Sequence, residues 1–305
     1  MSASLVMNTV PVPLFFNPLA GRGRSGRNIL QVVELLSSLG VNPVLVRSES
    51  VGDLETKVLG AVSAGTKRIL VAGGDGSIHE VVNGILRSGE PVELGVIPTG
   101  TGNDFAKACS IPVNWEDAVP LLAERIRTDT PAHPVDAGRM NDRYFANSAG
   151  IGFDAKVNKI AREIRWRIGD VVYLVAVFKA MIDGVITPHV TMKFSGQTVE
   201  GPITLASVNN GAWVGGMFHI APMAINDDGA LDLVVVEPVS RLRIMALLPK
   251  LMRGSHIGQP EITHSRVTQC QLTATAPVPS HLDGEVQPLQ TRFEIELLRG
   301  ALRLL

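Results

Sequence analysis

This sequence is poorly provided for disulfide cross-linking, membrane spanning or polyanion coating. Its 305 residues include only two cysteines, Cys109 and Cys270. They are too few to staple a chain of this length, and neither belongs to a Cys/His cluster with zinc-ligand spacing. A reducing cytoplasm is the expected compartment. Aromatic residues make up 5% of the chain, so stacking platforms for single-stranded nucleic acid are scarce, and Trp115, Trp166 and Trp213 read as packing groups. The 28 Lys+Arg nearly balance the 29 Asp+Glu, which excludes a generally basic coat and makes any anion site local. The N-terminus lacks the basic region and long apolar run of a secretory signal. The most apolar stretch, residues 171–178, falls far short of the roughly 18 residues of a spanning helix. Neither a nucleic-acid partner nor a transmembrane segment is expected.

A hydrophobic content of 45% with 19% charge instead indicates a folded chain of about two domains. Over the first 130 residues, strand-like runs (12–16, 43–46, 68–72, 94–97) alternate with helical patterns (27–39, 54–62, 78–86), which predicts an α/β layered domain with a parallel sheet. From about Ala132 the strands shorten: 144–148, 190–194, 203–208, 231–236, 271–275 and 293–297. Alternation in Val190-Thr191-Met192-Lys193-Phe194 and Phe293-Glu294-Ile295-Glu296-Leu297 gives one buried and one wet face, as in an antiparallel sheet or sandwich. Two basic amphipathic stretches lie between them, 156–167 and 241–253, the second capped by Ser240 and interrupted by Pro249.

The chemistry concentrates in glycine-rich turns. Residues 69–84 run from a buried strand through Gly73-Gly74-Asp75-Gly76 into a helix whose start is marked by a Ser77/Glu80 capping box. Bare backbone and free helix N–H groups favour an anion such as phosphate. Asp75 there either makes a local turn bond or approaches a magnesium ion carried on a nucleotide. His79 reads as part of an exposed helix face. A second turn, Pro98-Thr99-Gly100-Thr101-Gly102-Asn103-Asp104, follows the next strand. Ligands of open α/β sheets collect beyond the carboxyl ends of strands, so one site could use both turns. Gly21-Arg22-Gly23-Arg24-Ser25-Gly26 matches a dinucleotide fingerprint, but Asn17-Pro18-Leu19-Ala20 separates it from its strand and spoils the tight turn. It is expected to be a basic nucleotide-facing loop.

Together these segments resemble the bacterial diacylglycerol kinase-like lipid kinases, relatives of sphingosine kinases and more distantly of NAD kinases. The resemblance rests on Phe16-Asn17-Pro18, Gly73-Gly74-Asp75-Gly76-Ser77, residues 98–106 and Ala149-Gly150-Ile151-Gly152-Phe153-Asp154-Ala155. It continues through Gly215-Gly216-Met217, Pro222-Met223-Ala224, Asp227-Asp228-Gly229-Ala230-Leu231-Asp232 and Asp283-Gly284-Glu285. It implies a NAD-kinase-like α/β domain over residues 1–132, rejoined by about 295–305, and a β-sandwich acceptor and metal domain over 133–294. It also implies that ATP meets Asn17, Pro18, Leu19, Ala20, Gly21, Ser48, Gly74, Asp75, Gly76, Ser77, Ile78, His79, Glu80 and Thr101. Asp75, Asn103 and Asp104 would serve the magnesium network. Glu285 would be the general base, with Asp283 beside it, although Asp-Gly-Glu alone reads equally as a hairpin turn. A structural Mg²⁺ would be held by Asp228 and the carbonyls of Ile225 and Ala230, or Asp228 simply caps its turn; Asp136 could join the same acidic network.

The implied reaction is ATP-dependent, Mg²⁺-dependent phosphorylation of a diacylglycerol-like lipid. Each buried CH₂ is worth roughly 0.8 kcal/mol, so the acceptor stays in its bilayer and the enzyme works as a peripheral protein on the inner face of the membrane. Arg162, Arg165, Trp166, Arg167, Arg241, Arg243, Lys250 and Arg253 would meet anionic lipid there, or form ordinary solvated faces. Exposed β edges would allow a homodimer. The rival readings are an NAD kinase, a sphingoid-base kinase, a non-catalytic lipid or nucleotide sensor and, last, an oxidoreductase using the first glycine loop.

Overall fold

The computed structural model describes residues 10–164 and 171–305. In chain order it forms β1 (Val12–Phe16), α1 (Ala20–Ser38), β2 (Pro43–Arg47), α2 (Asp53–Ser63), β3 (Arg68–Gly73), α3 (Asp75–Ser88), β4 (Glu93–Pro98), α4 (Asp104–Ala108) and α5 (Trp115–Arg127). There follow β5 (His133–Met140), β6 (Arg143–Phe145), β7 (Ser148–Gly152), α6 (Phe153–Glu163), α7 (Val171–Ile182), β8 (His189–Phe194), β9 (Gln197–Pro202) and β10 (Leu205–Asn209). The chain ends with β11 (Leu231–Val236), α8 (Arg241–Met252), β12 (Ile262–Val267), β13 (Gln269–Leu282) and β14 (Glu285–Leu304). It divides into two compact units. The first comprises Met1–Gly100, Ile111–Pro134 and Leu302–Leu305, and the second Thr101–Ser110 and Val135–Ala301.

The first unit is the predicted parallel α/β layer. Its strands lie in the order β4-β3-β1-β2, all parallel, and the last residues of β14 add a parallel pairing of Leu304 with Leu94. Leu70, Val71 and Ile97 are completely buried, as expected of a sheet covered on both faces. α3 follows β3 after one residue and buries Ile78, Val81, Val82 and Ile85, the three-and-four spacing of a single helical face. α2 crosses α3 at Gly84, where a β-carbon would lie 2.8 Å from the Glu55 carbonyl and from Val58.

Local expectations fail in three places here. The α3 helix begins at Asp75 after an extended Gly74, so Ser77 lies inside the first turn and does not cap it. The Glu80 carboxylate accepts the Gly52 and Leu54 N–H groups, both at 3.0 Å, and so caps α2 instead. Finally, residues 21–26 are wound into the start of α1, with Gly21 and Gly23 at φ +58° and +82°, rather than forming a loop before it.

The second unit is antiparallel and β-rich. β12-β11-β10-β7-β13-β14 run side by side, β8 and β9 extend from β13, and β5 and β6 from β14. Its core gathers Phe145, Ile151, Leu233, Leu272, Leu282 and Phe293. The expected strands at 271–275 and 293–297 are parts of one long β13/β14 hairpin, bent by register shifts at Thr273, Val278 and Ser280; such irregularities curve a ribbon without ending it. The expected strand at 144–148 is instead the end of β6 and the start of β7. α6, α7 and α8 pack together through Val157, Ile160, Ala176, Val177, Ile244 and Leu248. Ser240 Oγ does cap α8, accepting the Arg243 N–H at 3.2 Å, but Pro249 lies within the helix instead of interrupting it. Among the described residues no helix is long and apolar enough to cross a membrane.

Alanine favours a helix over glycine by roughly 1 kcal/mol, but Gly84→Ala forces a methyl into the α2 backbone. The expected net result is a loss of about 1–3 kcal/mol in urea denaturation of the purified protein.

Candidate active site

In the first unit the carboxyl ends of four strands carry the candidate ligand loops. After β1, Asn17 turns the chain, its Oδ1 accepting the Leu19 N–H at 2.9 Å and its carbonyl the Ala20 N–H at 3.0 Å. A β-carbon on Gly21 would sit 2.5 Å from the Thr99 carbonyl oxygen, so only glycine allows these two turns to meet. Ser48, after β2, donates its N–H to the Phe16 carbonyl at 2.8 Å, and Thr99, after β4, donates to Gly73 at 2.9 Å. Asn17–Gly21, Ser48, Gly74–Ser77 and Thr99 are thereby collected at one end of the sheet. Of the remaining expected contacts, Ile78 is in the core and Glu80 caps α2. His79 is 3% exposed and lies beside Asn83, whose amide donates to the His79 carbonyl at 2.9 Å. It is therefore not on an exposed face.

Two buried hydroxyls in this region, Ser77 Oγ and Thr99 Oγ1, have no hydrogen-bond partner among the described residues. A buried hydroxyl left unpaired costs on the order of 1–3 kcal/mol, and both stand beside the N-terminal N–H groups of α3, which favour anions. This donor set fits a phosphate-bearing ligand. Asp75 lies beside this donor set, in the first turn of α3.

Thr101, Asn103 and Asp104 belong to the second unit. Asn103 adopts φ +52° before α4, and the Asp104 carboxylate accepts the Gly216 N–H at 3.0 and 3.1 Å. Lys107 reinforces this turn, donating to the Gly216 carbonyl at 2.5 Å, and its ammonium lies over Trp213.

Asp283 and Gly284, at φ +50° and +83°, form a two-residue turn closed by the Leu282/Glu285 pair, the type I′ geometry that Asp-Gly favours. The hairpin reading of Asp-Gly-Glu is therefore the one the backbone shows. The Asp283 carboxylate accepts three backbone N–H groups, from Ala146 at 3.0 Å, Asn147 at 2.8 Å and Ser148 at 2.9 Å, while its own N–H donates to Ser148 at 2.8 Å. It anchors the turn. Glu285 is half-buried and its carboxylate pairs with Arg162 of α6. Arg162 is thus not part of a free basic face, and Arg165, Trp166 and Arg167 lie outside the described residues. Arg243 is likewise bound to Glu261 at 2.6 Å, and Lys250 to Gln259 at 2.8 Å.

The Asp228 carboxylate accepts the Ala230 N–H at 3.1 Å and pairs with Arg266; Ile225 is largely exposed. A guanidinium already supplies the positive charge there, so these donors fit a metal poorly. Asp136 is also committed, to the N–H groups of Gly229 at 2.8 Å and Gly300 at 2.6 Å. Burial pushes the Cys109 thiol far up and the Cys270 thiol up to about 11, which makes both poor nucleophiles.

Beside the turn, α6, α7, α8, β10 and β11 enclose a cavity of about 110 Å³ lined almost wholly by apolar side chains, among them Val157, Val177, Phe218, Val234, Ile244 and Leu248. Its few polar members include Asp154, Asn158 and Tyr173. A β-carbon on Gly284 would be 3.5 Å from Asn158 Oδ1 and 3.9 Å from the Tyr173 hydroxyl, so one end of the cavity adjoins the Asp-Gly-Glu turn. Sequence reasoning missed Asn158 and the cavity and expected Arg162 to meet lipid, because only the packing of α6 against β13 brings them to this turn. Replacing Asp283 with Ala strands three N–H donors and should lower stability by about 3 kcal/mol or more in urea denaturation, with Asp283→Asn falling in between.

Comparison with known proteins agrees with this architecture. The diacylglycerol kinase catalytic domain model matches residues 11–140, and the YegS C-terminal NAD kinase beta sandwich-like domain model matches residues 147–305. The chain is 29% identical over 273 residues to the diacylglycerol kinase of Bacillus subtilis (strain 168), covering 89% of this chain and 88% of that protein. It is 27% identical over 273 residues to the diacylglycerol kinase of Staphylococcus carnosus, covering 89% and 87%. A crystal structure of a provisionally assigned diacylglycerol kinase from Bacillus anthracis str. Sterne covers 96% of both chains at 26% identity, with a TM-score of 0.78. With both halves matched in order, the chain belongs to the diacylglycerol kinase-like family and is a lipid kinase.

Proposed function

We propose that the protein transfers the γ-phosphate of ATP to a hydroxyl of a diacylglycerol-like lipid. The observation that carries this reading is the apolar cavity ending at the turn that bears Glu285. An acyl chain suits its walls, and a hydroxyl at its polar end would come within reach of a carboxylate. A polar dinucleotide acceptor such as NAD suits those walls badly. ATP would be held by the loops of the first unit, its phosphates receiving the Ser77 and Thr99 hydroxyls and the α3 N–H groups. Mg²⁺, near Asp75, would supply charge neutralisation for the phosphates.

The chemistry asked of the protein is then modest. Glu285 accepts the proton of the lipid hydroxyl, the oxygen forms a bond to the γ-phosphorus, and the bond to the bridging oxygen breaks to leave ADP. Because Arg162 holds the carboxylate in the free protein, the acceptor hydroxyl has to compete with or share that partner. Contact with a lipid surface is supported by Phe178 and Ile182 of α7 and Leu242 and Met245 of α8. These residues are exposed on the helices that wall the cavity.

Transfer of labelled γ-phosphate to micelle-dispersed diacylglycerol, with NAD and acceptor-free controls, tests the reaction. Label on NAD alone would refute it. Glu285→Gln should lower kcat by about 10²–10⁴-fold while leaving ATP affinity within twofold. Leu248→Trp, which fills the cavity, should raise the apparent KM for a long-chain acceptor about tenfold and leave a short-chain soluble analogue little changed.

A further inference from the structure

The Asp-Gly-Glu turn has a third support besides Asp283 and Arg162. In a two-residue hairpin both central N–H groups point away from the ladder and need outside partners. That of Asp283 goes to the Ser148 carbonyl. That of Gly284 donates to Nδ1 of His281 at 3.1 Å, a side chain on β13 with no exposed surface.

This bond fixes the state of the imidazole. An N–H can only donate, so Nδ1 holds its lone pair toward Gly284 and the ring proton resides on Nε2. Nε2 lies 3.3 Å from Oδ2 of Asp154, which is 9% exposed in the first turn of α6. The contact is made over Gly150: a β-carbon there would fall 2.0 Å from Asp154 Oδ2 and 2.2 Å from His281 Nε2. Bare backbone at that position is what leaves room for the pair. α6 thus presents Asp154, Asn158 and Arg162, successive residues four apart on one helix face, to His281, Gly284 and Glu285 in turn.

We infer that His281 is a positioning residue for Glu285: oriented by Asp154, it clamps the Gly284 amide and so fixes where the Glu285 carboxylate stands. The inference rests on Glu285 being the base. Gly284 is the most pliable link in the hairpin, and a displacement of about 1 Å at a reacting group costs on the order of 100-fold in rate. His281 itself touches neither acceptor nor nucleotide in this scheme.

The test compares His281→Leu, His281→Asn and Glu285→Gln in full-length protein, measuring kcat and KM for micellar diacylglycerol, ATP affinity by calorimetry and melting temperature. His281→Leu removes the acceptor for Gly284 and should lower kcat roughly 10- to 100-fold, with KM and ATP affinity within about twofold. His281→Asn retains an oxygen that can accept the same N–H and should recover most of that loss. Unchanged kcat in His281→Leu while Glu285→Gln is inactive would overturn the positioning role. An active Glu285→Gln would overturn the base assignment instead. Should His281→Leu fail to fold, Asp154→Ala, which leaves the imidazole in place without its orienting partner, decides the matter: reduced kcat at unchanged KM supports the relay, and unchanged kcat refutes it.

Discussion

One carboxylate holds the functional half of the second unit together. Asp283 accepts N–H groups from three consecutive residues, Ala146 to Ser148, and in doing so ties the β13/β14 hairpin tip to the start of β7. Hydrogen bonds to an ionised acceptor are roughly twice as strong as neutral ones, and three of them converge on one side chain in a left-handed conformation that few residues tolerate. Everything placed relative to that tip inherits its rigidity. The β7 strand leads directly into α6, whose polar face meets the turn, and α6 forms one wall of the apolar cavity.

Among the described residues, buried polar atoms without a partner occur in both units, Asn147 Oδ1, Asn210 Oδ1 and Ser280 Oγ among those of the second. Around the hairpin tip, the Asp283 carboxylate and both central N–H groups of the turn have defined partners within the protein. At the strand ends of the first unit, Ser77 and Thr99 carry buried hydroxyls without a partner among the described residues. Buried polar groups are rarely left unpaired without a reason, and a ligand with oxygen atoms is the simplest. A satisfied cluster rigidifies, whereas an unsatisfied one at a helix N-terminus is ready to receive an anion.

Much of this was legible in the sequence, because apolar periodicity and glycine spacing are local signals. The alternation of the first 130 residues, the helix after Gly74 and the Ser240 cap could all be read directly. The errors came where tertiary partners outcompeted neighbours. Glu80 has the right spacing to answer Ser77, yet its carboxylate accepts the Gly52 and Leu54 N–H groups. His79 is polar and adjacent to a glycine turn, yet the packing of α3 buries it. The long β13/β14 hairpin was invisible as such because its bends break the alternation into short pieces. The cavity and the α6 stripe could not be seen at all, since Asp154 and His281 are 127 residues apart and nothing local to either foretells the other.

The basic stretch beginning at Lys156 shows why charge alone is a poor guide to surfaces. Read along the helix it promises a cationic face. In the fold Lys156 reaches the carbonyls of Ala180 at 3.3 Å and Gly184 at 2.7 Å, serving the C-terminal end of α7, where a cation complements the helix dipole. Arg162 is spent on Glu285. Lys156 and Arg162 therefore brace α6 against its neighbours. In the proposed reading, contact with lipid would rest on exposed apolar side chains of α7 and α8, whose burial at an interface yields more than a solvated surface charge screened by salt.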